Sequence, residues 1–273
     1  MGLRVNTNIA SLTAQRNLTT VTGRLTGNYA RLSSGLRVAT AADDAAGLAI
    51  SERMRSQIRS YGAAARNAQD GISLVQTAEG ALNEASNILT RMRELSVQAA
   101  NGTLSDTDRD TINQEVSALI SELDRIANST NFNGIPLLDG TSTTTSIQVG
   151  LNSGEVIDVA LQDTTSATLG VDGVDVSTST DASDALSAID DAIDSVNTTR
   201  GSMGAAQNRL TSSYTSILNA RENLSAAESR IRDVDVASET ADLSRNSIMQ
   251  QAAVSVLAQA NVQPQLALRL LQG

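Results

Sequence analysis

Residues 189–231 read IDDAIDSVNTTRGSMGAAQNRLTSSYTSILNARENLSAAESRI, and their spacing decides the fold. Ile189, Val196, Met203, Leu210, Ile217, Leu224 and Ile231 recur every seven residues. Such a repeat belongs to a helix packed along one seam against other helices. The companion positions Leu186, Ile193, Arg200, Gln207, Tyr214, Arg221 and Glu228 turn polar after two repeats. A half-polar second seam suits a long helix in a shared bundle better than an isolated two-stranded coil. At 1.5 Å per residue the repeat spans roughly 63 Å. Gly201 and Gly204 interrupt it at about 1 kcal/mol each relative to Ala, which packing can offset.

Two more helices are predicted upstream. From about Ala45 to Asn101 the apolar positions are Leu48, Ile50, Met54, Ile58, Ile72, Val75, Leu82, Leu89, Met92 and Leu95. Asn101-Gly102 is an expected C-terminal stop. Ser105, with Asp108 three residues on, reads as an N-cap for a helix carrying Ile112, Val116, Leu119, Leu123 and Ile126. The turn cluster Asn131-Phe132-Asn133-Gly134-Ile135-Pro136 follows. Alternation then changes to period two, in Ile147, Val149 and Leu151 and again in Ile157, Val159 and Leu161. With Asn152-Ser153-Gly154 as the turn, this predicts a small β-hairpin. Extended segments are expected around Leu169 to Val176, in a polar surface excursion that runs to Ser183.

Composition narrows the chemistry. The chain has 273 residues, a net charge of −10, no Cys, no His and no Trp. Its basic residues are all Arg. Imidazole bases, thiolates, the usual zinc ligands, disulfides, Schiff bases and phosphate-binding lysines are therefore excluded. The apolar share comes from Ala, Leu, Ile and Val, with aromatics at 1%, which suits thin layers of helices. No apolar run is long enough to span a bilayer, and the first residues lack the core of a secretory signal. Neither membrane nor nucleic acid is expected as a partner, no cofactor is implied, and an enzyme is not expected.

Charge is segregated. Residues 1–42 carry five Arg and no acid, and residues 243–273 carry Arg245 and Arg269 and no acid. Between Phe132 and Thr199 there are eleven acids and no base. Acid-free ends suit packing among many neighbours, where buried carboxylates are costly. Leu18, Leu25 and Leu32 step by seven, while Val254, Leu257, Asn261, Pro264, Leu268 and Leu271 step in threes and fours. Each stripe is too narrow to hold a helix alone in water, so the two ends are expected to pair and to be completed by further copies. A frayed bundle end is the plainer reading. The fold class is thus mainly α: a long coiled-coil-like bundle, or rod, with a small β-hairpin and paired terminal helices.

The residues also carry a family resemblance. Val5-Asn6-Thr7-Asn8-Ile9-Ala10-Ser11-Leu12, Arg31-Leu32-Ser33-Ser34-Gly35-Leu36-Arg37 and Ala41-Ala42-Asp43-Asp44-Ala45-Ala46-Gly47-Leu48 resemble the amino-terminal region of bacterial flagellin. Arg93-Glu94-Leu95-Ser96-Val97-Gln98-Ala99-Ala100-Asn101-Gly102 and Phe132-Asn133-Gly134 continue the match. Leu224 to Asp233, Val256 to Asn261 and Pro264-Gln265 resemble its carboxyl-terminal region. The resemblance covers the chain apart from roughly 141–183.

It implies a filament subunit of the compact type, with no separate variable outer domain. The partners implied are many copies of the chain itself, the flagellar export apparatus and its flagellin chaperone, and the filament cap and hook-junction proteins. It implies an extracellular location in the flagellum, reached without a cleaved signal peptide. Residues 1–42 with 233–273 would form the inner filament layer. Residues 43–232, including 133–183 with the hairpin and loop, would form the outer tube. Gly35, Asp43, Asp44 and Gly47 would be the connector, with Asp44 as helix cap and the two glycines supplying backbone freedom. The matching stretch of some flagellins is contacted by a host Toll-like receptor, and the corresponding residues here are Arg91, Leu95 and Glu115.

Two other readings and one metal motif have to be weighed, beside the enzyme already set aside. A hook–filament junction protein resembles flagellin at both ends, but the Ser-Ser-Gly-Leu-Arg and Ala-Asp-Asp-Ala-Ala-Gly-Leu-Ala-Ile series favours the filament protein. A helical signalling rod does not explain the acid-free ends or the hairpin. A calcium loop at Asp106-Thr107-Asp108-Arg109-Asp110 lacks the required Gly and has Ser117 in place of the bidentate Glu, so helix N-terminal charge explains it better.

Overall fold

A computed structural model describes the backbone of residues 7–272 and the side chains of residues 7–263. The chain runs α1 (Ile9–Ser34), α2 (Ala45–Ala99), α3 (Asp106–Ser129), β1 (Asn131–Phe132), β2 (Ile135–Pro136), β3 (Thr144–Gln148), β4 (Val156–Ala160), α4 (Ser166–Leu169), α5 (Ser179–Arg232) and α6 (Val236–Gln272). It divides into two compact units, residues 57–222 and residues 1–56 with 223–273. Both divisions fall inside long helices, α2 and α5, rather than in linkers.

In the unit of residues 57–222, α2 and α5 run antiparallel. Arg93 on α2 grips Asp190 on α5, with Nε 2.6 Å from Oδ1, and further along Ala64 and Ala65 pack with Ile217. The seven-residue row is real: Ile189, Val196, Met203, Leu210 and Ile217 are all buried. The second seam is not where hydrophobicity alone places it. Ala185, Ala192, Thr199 and Ala206 are the buried companions, whereas Leu186, Ile193, Arg200, Gln207 and Tyr214 lie half-exposed on the flank. Small side chains let the neighbouring backbone come close, so Ala occupies the seam and the larger residues cover its edge. α2 answers with the same alternation, burying Ala78, Leu82, Ala85, Leu89 and Met92. α2 meets the hairpin and α5 closely at Gly71, where an added Cβ would stand 3.1 Å from Ile147 and 3.3 Å from Leu210.

The connections follow local chemistry. Ser105 and Asp108 form the expected reciprocal cap at the start of α3. Asn133 (φ 50) and Gly134 (φ 80) make the two-residue turn between β1 and β2, which the Asn-Gly pair favours. β3 and β4 form the expected antiparallel hairpin, with Ile147 opposite Ile157, but Val149 and Leu151 lie beyond β3 in a longer connection than the Asn152-Ser153-Gly154 turn. Residues 169–176 depart from the expected extended excursion. A single helical turn, α4, which buries Leu169, is followed by irregular chain whose Val171 and Val176 are buried. α3 holds this strap: Asp124 accepts hydrogen bonds from the Ser166 N–H and hydroxyl at 2.8 Å each, and Asn113 accepts the Val176 N–H.

Arg109 is the buried charge that periodicity does not reveal. Only 7% exposed, it donates to the carbonyls of Ala99 and Asn101 at the end of α2 and pairs with Asp106 at 3.0 Å. It thus closes the C-terminus of one helix from the first turns of the next. Replacing Arg109 by Met keeps the aliphatic stem but leaves two carbonyls without that donor. This should lower unfolding free energy by about 1–3 kcal/mol, read as a reduced denaturant midpoint.

Candidate assembly surface on the terminal helix pair

The unit of residues 1–56 and 223–273 is built on α1 packed antiparallel against α6. Asn8 caps α1 by accepting the Ser11 N–H, and its amide donates to the Ala260 carbonyl at 2.8 Å. Ser11 reaches Asn261 at 2.7 Å. On α1 the inward row is Ser11, Ala14, Leu18, Val21, Leu25, Asn28 and Leu32, stepping by threes and fours. Leu25 is buried, and Leu18 and Leu32 are half-buried on the same row. On α6 the row includes Glu239, Leu243, Asn246, Ala253, Leu257 and Ala260. Val254 differs from expectation: it is 51% exposed, one residue off the seam that Ala253 occupies. Leu268 and Leu271 lie outside the described side chains.

The seam is closed mostly by small and polar groups. Asn28 and Asn246 are buried, and the Asn246 amide donates to the Asn28 oxygen at 2.9 Å. Asn28 in turn donates to Glu239, whose same oxygen accepts from Arg31 at 2.9 Å. The Arg31 guanidinium holds the Glu239 carboxyl below the usual carboxylate range, against the opposing effect of burial. The pairing reciprocally raises Arg31.

Large apolar side chains are left outside. Ile9, Leu12, Tyr29, Val236, Ile248, Val254, Val256 and Val262 of α1 and α6 are between 45% and 67% exposed. With Ile50 they make nine of the twelve exposed large hydrophobics among the described residues, all in this unit. Exposed large apolar side chains among the described residues are thus concentrated in this unit.

The connector is clamped rather than loose. Gly35 ends α1 at φ 72, and the Gly35 carbonyl accepts the Val234 N–H at 3.0 Å. Leu36 bridges Asp233, and the Arg37 N–H and guanidinium donate to the carbonyls of Arg232 and Ile231. Asp43 accepts the N–H groups of Thr40 and Ala39 and the Thr40 hydroxyl, and the Thr40 bonds above all lower its pKa. Asp44 caps α2 by accepting the Gly47 N–H at 2.9 Å. Gly47 is therefore required for space, not for freedom: an added Cβ would stand 2.3 Å from the Asp44 carboxylate.

The other expected site separates. Arg91 binds Glu115 of α3 at 2.9 Å and Glu94 at 3.1 Å, both on the surface. Leu95 is 2% exposed and belongs to the core, so it offers no surface contact in the folded chain. Its place on the 92–95–99 row of α2 is what buries it. Among the described residues no cluster of carboxylates could hold a metal ion, and no helix is long and apolar enough to cross a membrane.

An antiparallel terminal helix pair, a long two-helix core with a hairpin strapped to it, and an apolar outer face define a self-associating structural protein. Sequence comparison gives the family. The model of the bacterial flagellin N-terminal helical region matches residues 5–143, and that of the C-terminal helical region matches residues 186–271. A flagellin of Halalkalibacterium halodurans is 47% identical over 270 residues, covering 98% of this chain and 99% of the relative. The flagellin of Bacillus subtilis is 44% identical over 304 residues, covering 99% and 100%. The crystal structure of Bacillus cereus flagellin superposes with a TM-score of 0.52 at 36% identity, covering 56% of this chain and 88% of that one. The chain belongs to the flagellin family and is a structural subunit of the flagellar filament.

The charges of the terminal unit set its acid response. Glu239 and Asp43 titrate below their ordinary values, as does Glu52, which Arg232 and then Arg55 stabilise as the anion. A depressed carboxylate stabilises the fold above its unfolded pKa, about 4, and that stabilisation is lost as pH falls through the folded value. The melting temperature of this unit should therefore fall on acidification below about pH 4, and Glu239→Gln should flatten that decline. A melt followed at several pH values checks both.

Proposed function

We propose that the chain acts mechanically, by head-to-tail self-assembly in which α1 and α6 of each copy pack against those of neighbours. The exposed apolar face of this pair carries the reading. A contact that joins different faces of identical copies propagates without closing, which gives a helical polymer rather than a ring. In this arrangement residues 1–42 and 233–273 form the inner layer and residues 43–232 the outer tube. The clamped connector at Gly35, Asp43, Asp44 and Gly47 carries load between them.

No catalytic activity is part of this reading, which follows the structural role of the family. Export without a cleaved signal, through the flagellar apparatus with its chaperone, and contact with cap and hook-junction proteins complete the proposed partner set. A host-receptor contact at this chain's surface would meet the Arg91–Glu115 pair and not Leu95.

Deleting residues 1–40 or the last thirty residues should leave a soluble monomer that fails to elongate seeded filaments. Elongation at the normal rate by either truncation would contradict the role of the pair. Ile248→Ser should separate folding from assembly. On an exposed position it should change stability by no more than about 0.5 kcal/mol. Seeded elongation, followed by light scattering and electron microscopy, should nevertheless slow.

A further inference from the structure

We infer that the buried Asn28–Asn246–Glu239–Arg31 cluster is a pairing lock, which forces α1 to join α6 rather than another α1 and fixes the register at which they join. The placement carries the argument. Asn28 is 2% exposed and Asn246 8%, in a seam whose other inward residues on α1 are Ser, Ala, Val and Leu. Each group of the cluster is satisfied from the opposite helix: the Asn28 oxygen by Asn246, and the Asn28 amide and the Arg31 guanidinium by Glu239. A polar residue buried at a seam position costs stability and selects one register, because a slipped pairing strands it without a partner.

The lock is also asymmetric. α1 carries Arg16, Arg24 and Arg31 and no acid, while α6 carries Glu239 and Asp242 in its first two turns. Two α1 helices brought together would meet with like charges and with no carboxylate to receive Asn28 or Arg31. This matters because α1 otherwise resembles a generic stripe. Leu18, Leu25 and Leu32 step by seven and would accept a slip of one heptad with little apolar loss. In a polymer, where many copies of both helices lie side by side, such slips and exchanges are the competing states. The inference uses the assembly reading only for its assay: failure of the parent chain to polymerise would sink that reading and leave the lock to be read in the soluble chain.

The absence of native Cys supplies a clean reporter. Cys introduced at Ser11 and Asn261, which touch in the native register, reports correct pairing, whereas Cys at Leu18 and Asn261 reports a slip of one heptad. Each reporter pair is placed in the full-length chain, alone, with Asn28→Leu plus Asn246→Leu, or with Leu25→Ala. Chains are doped into parent filaments, oxidised and resolved by mass and gel mobility. The parent and Leu25→Ala should cross-link in the native register alone, since a weaker apolar seam leaves the lock intact. The double Leu variant should melt no lower than the parent yet yield slipped and intermolecular products several-fold above the parent. Exclusion of the double variant from filaments that admit Leu25→Ala would support the lock equally. Native-register cross-linking alone in the double Leu variant would overturn it, as would slipped product in Leu25→Ala at the level of the double variant.

Discussion

The structure depends on how the α1–α6 seam is closed. Ala, Ser, Asn and a shared carboxylate fill much of this seam beside a few leucines such as Leu25, while many of the pair's large apolar side chains, among them Ile9, Ile248 and Val256, remain outside. A pair of helices this narrow has little buried apolar area with which to offset the entropy of ordering its backbone. In the proposed assembly, surfaces that other copies supply add to this stability, so ordering of the terminal unit is coupled to growth of the filament. The other unit is the opposite case. Leu82, Leu89, Met92, Ile189, Met203 and Leu210 are fully enclosed there, and the hairpin and the 169–176 strap cover the open side.

Charge follows the same division. Carboxylates gather where solvent or an Arg can meet them: Asp190 with Arg93, Glu115 with Arg91, Glu52 with Arg232. On the terminal pair they shrink to a few at the start of α6, and Glu239 there is neutralised within the seam. In the proposed assembly this surface is buried against other copies, and each unpaired charge there would be desolvated at a cost. Exposed ion pairs elsewhere add little stability one by one and serve to orient helices and keep the outer face wet.

Much of this was legible in the residues. Seven-residue spacing located α5, the Ser105–Asp108 box located the start of α3, and period-two alternation located β3 and β4. What escaped has physical reasons. Ala does not stand out on a hydrophobicity scale, so the Ala185–Ala192–Thr199–Ala206 seam was hidden behind the more apolar Leu186 and Ile193 on its flank. Arg109 reads as a solvated charge because its partners are backbone carbonyls, which leave no trace in side-chain patterns. Val254 outranks its neighbour Ala253 in hydrophobicity, whereas the smaller Ala253 is the one that faces the seam. Leu95 belongs to the row that packs the core even though its neighbours Arg93 and Glu94 are surface residues. The cluster around Asn28 escapes for a related reason: the leucines at sevens dominate the pattern of α1, and polar residues between them leave no periodic signal.

Amide hydrogen exchange tests the central claim most directly, measured on α1 and α6 in the dilute chain and again in seeded filaments. Helices that rely on other copies should exchange within the fast, locally opening regime when dilute, while α2 and α5 between residues 57 and 222 stay protected, and should become protected on assembly. Protection of α1 and α6 in the dilute chain equal to that of the 57–222 core would contradict it.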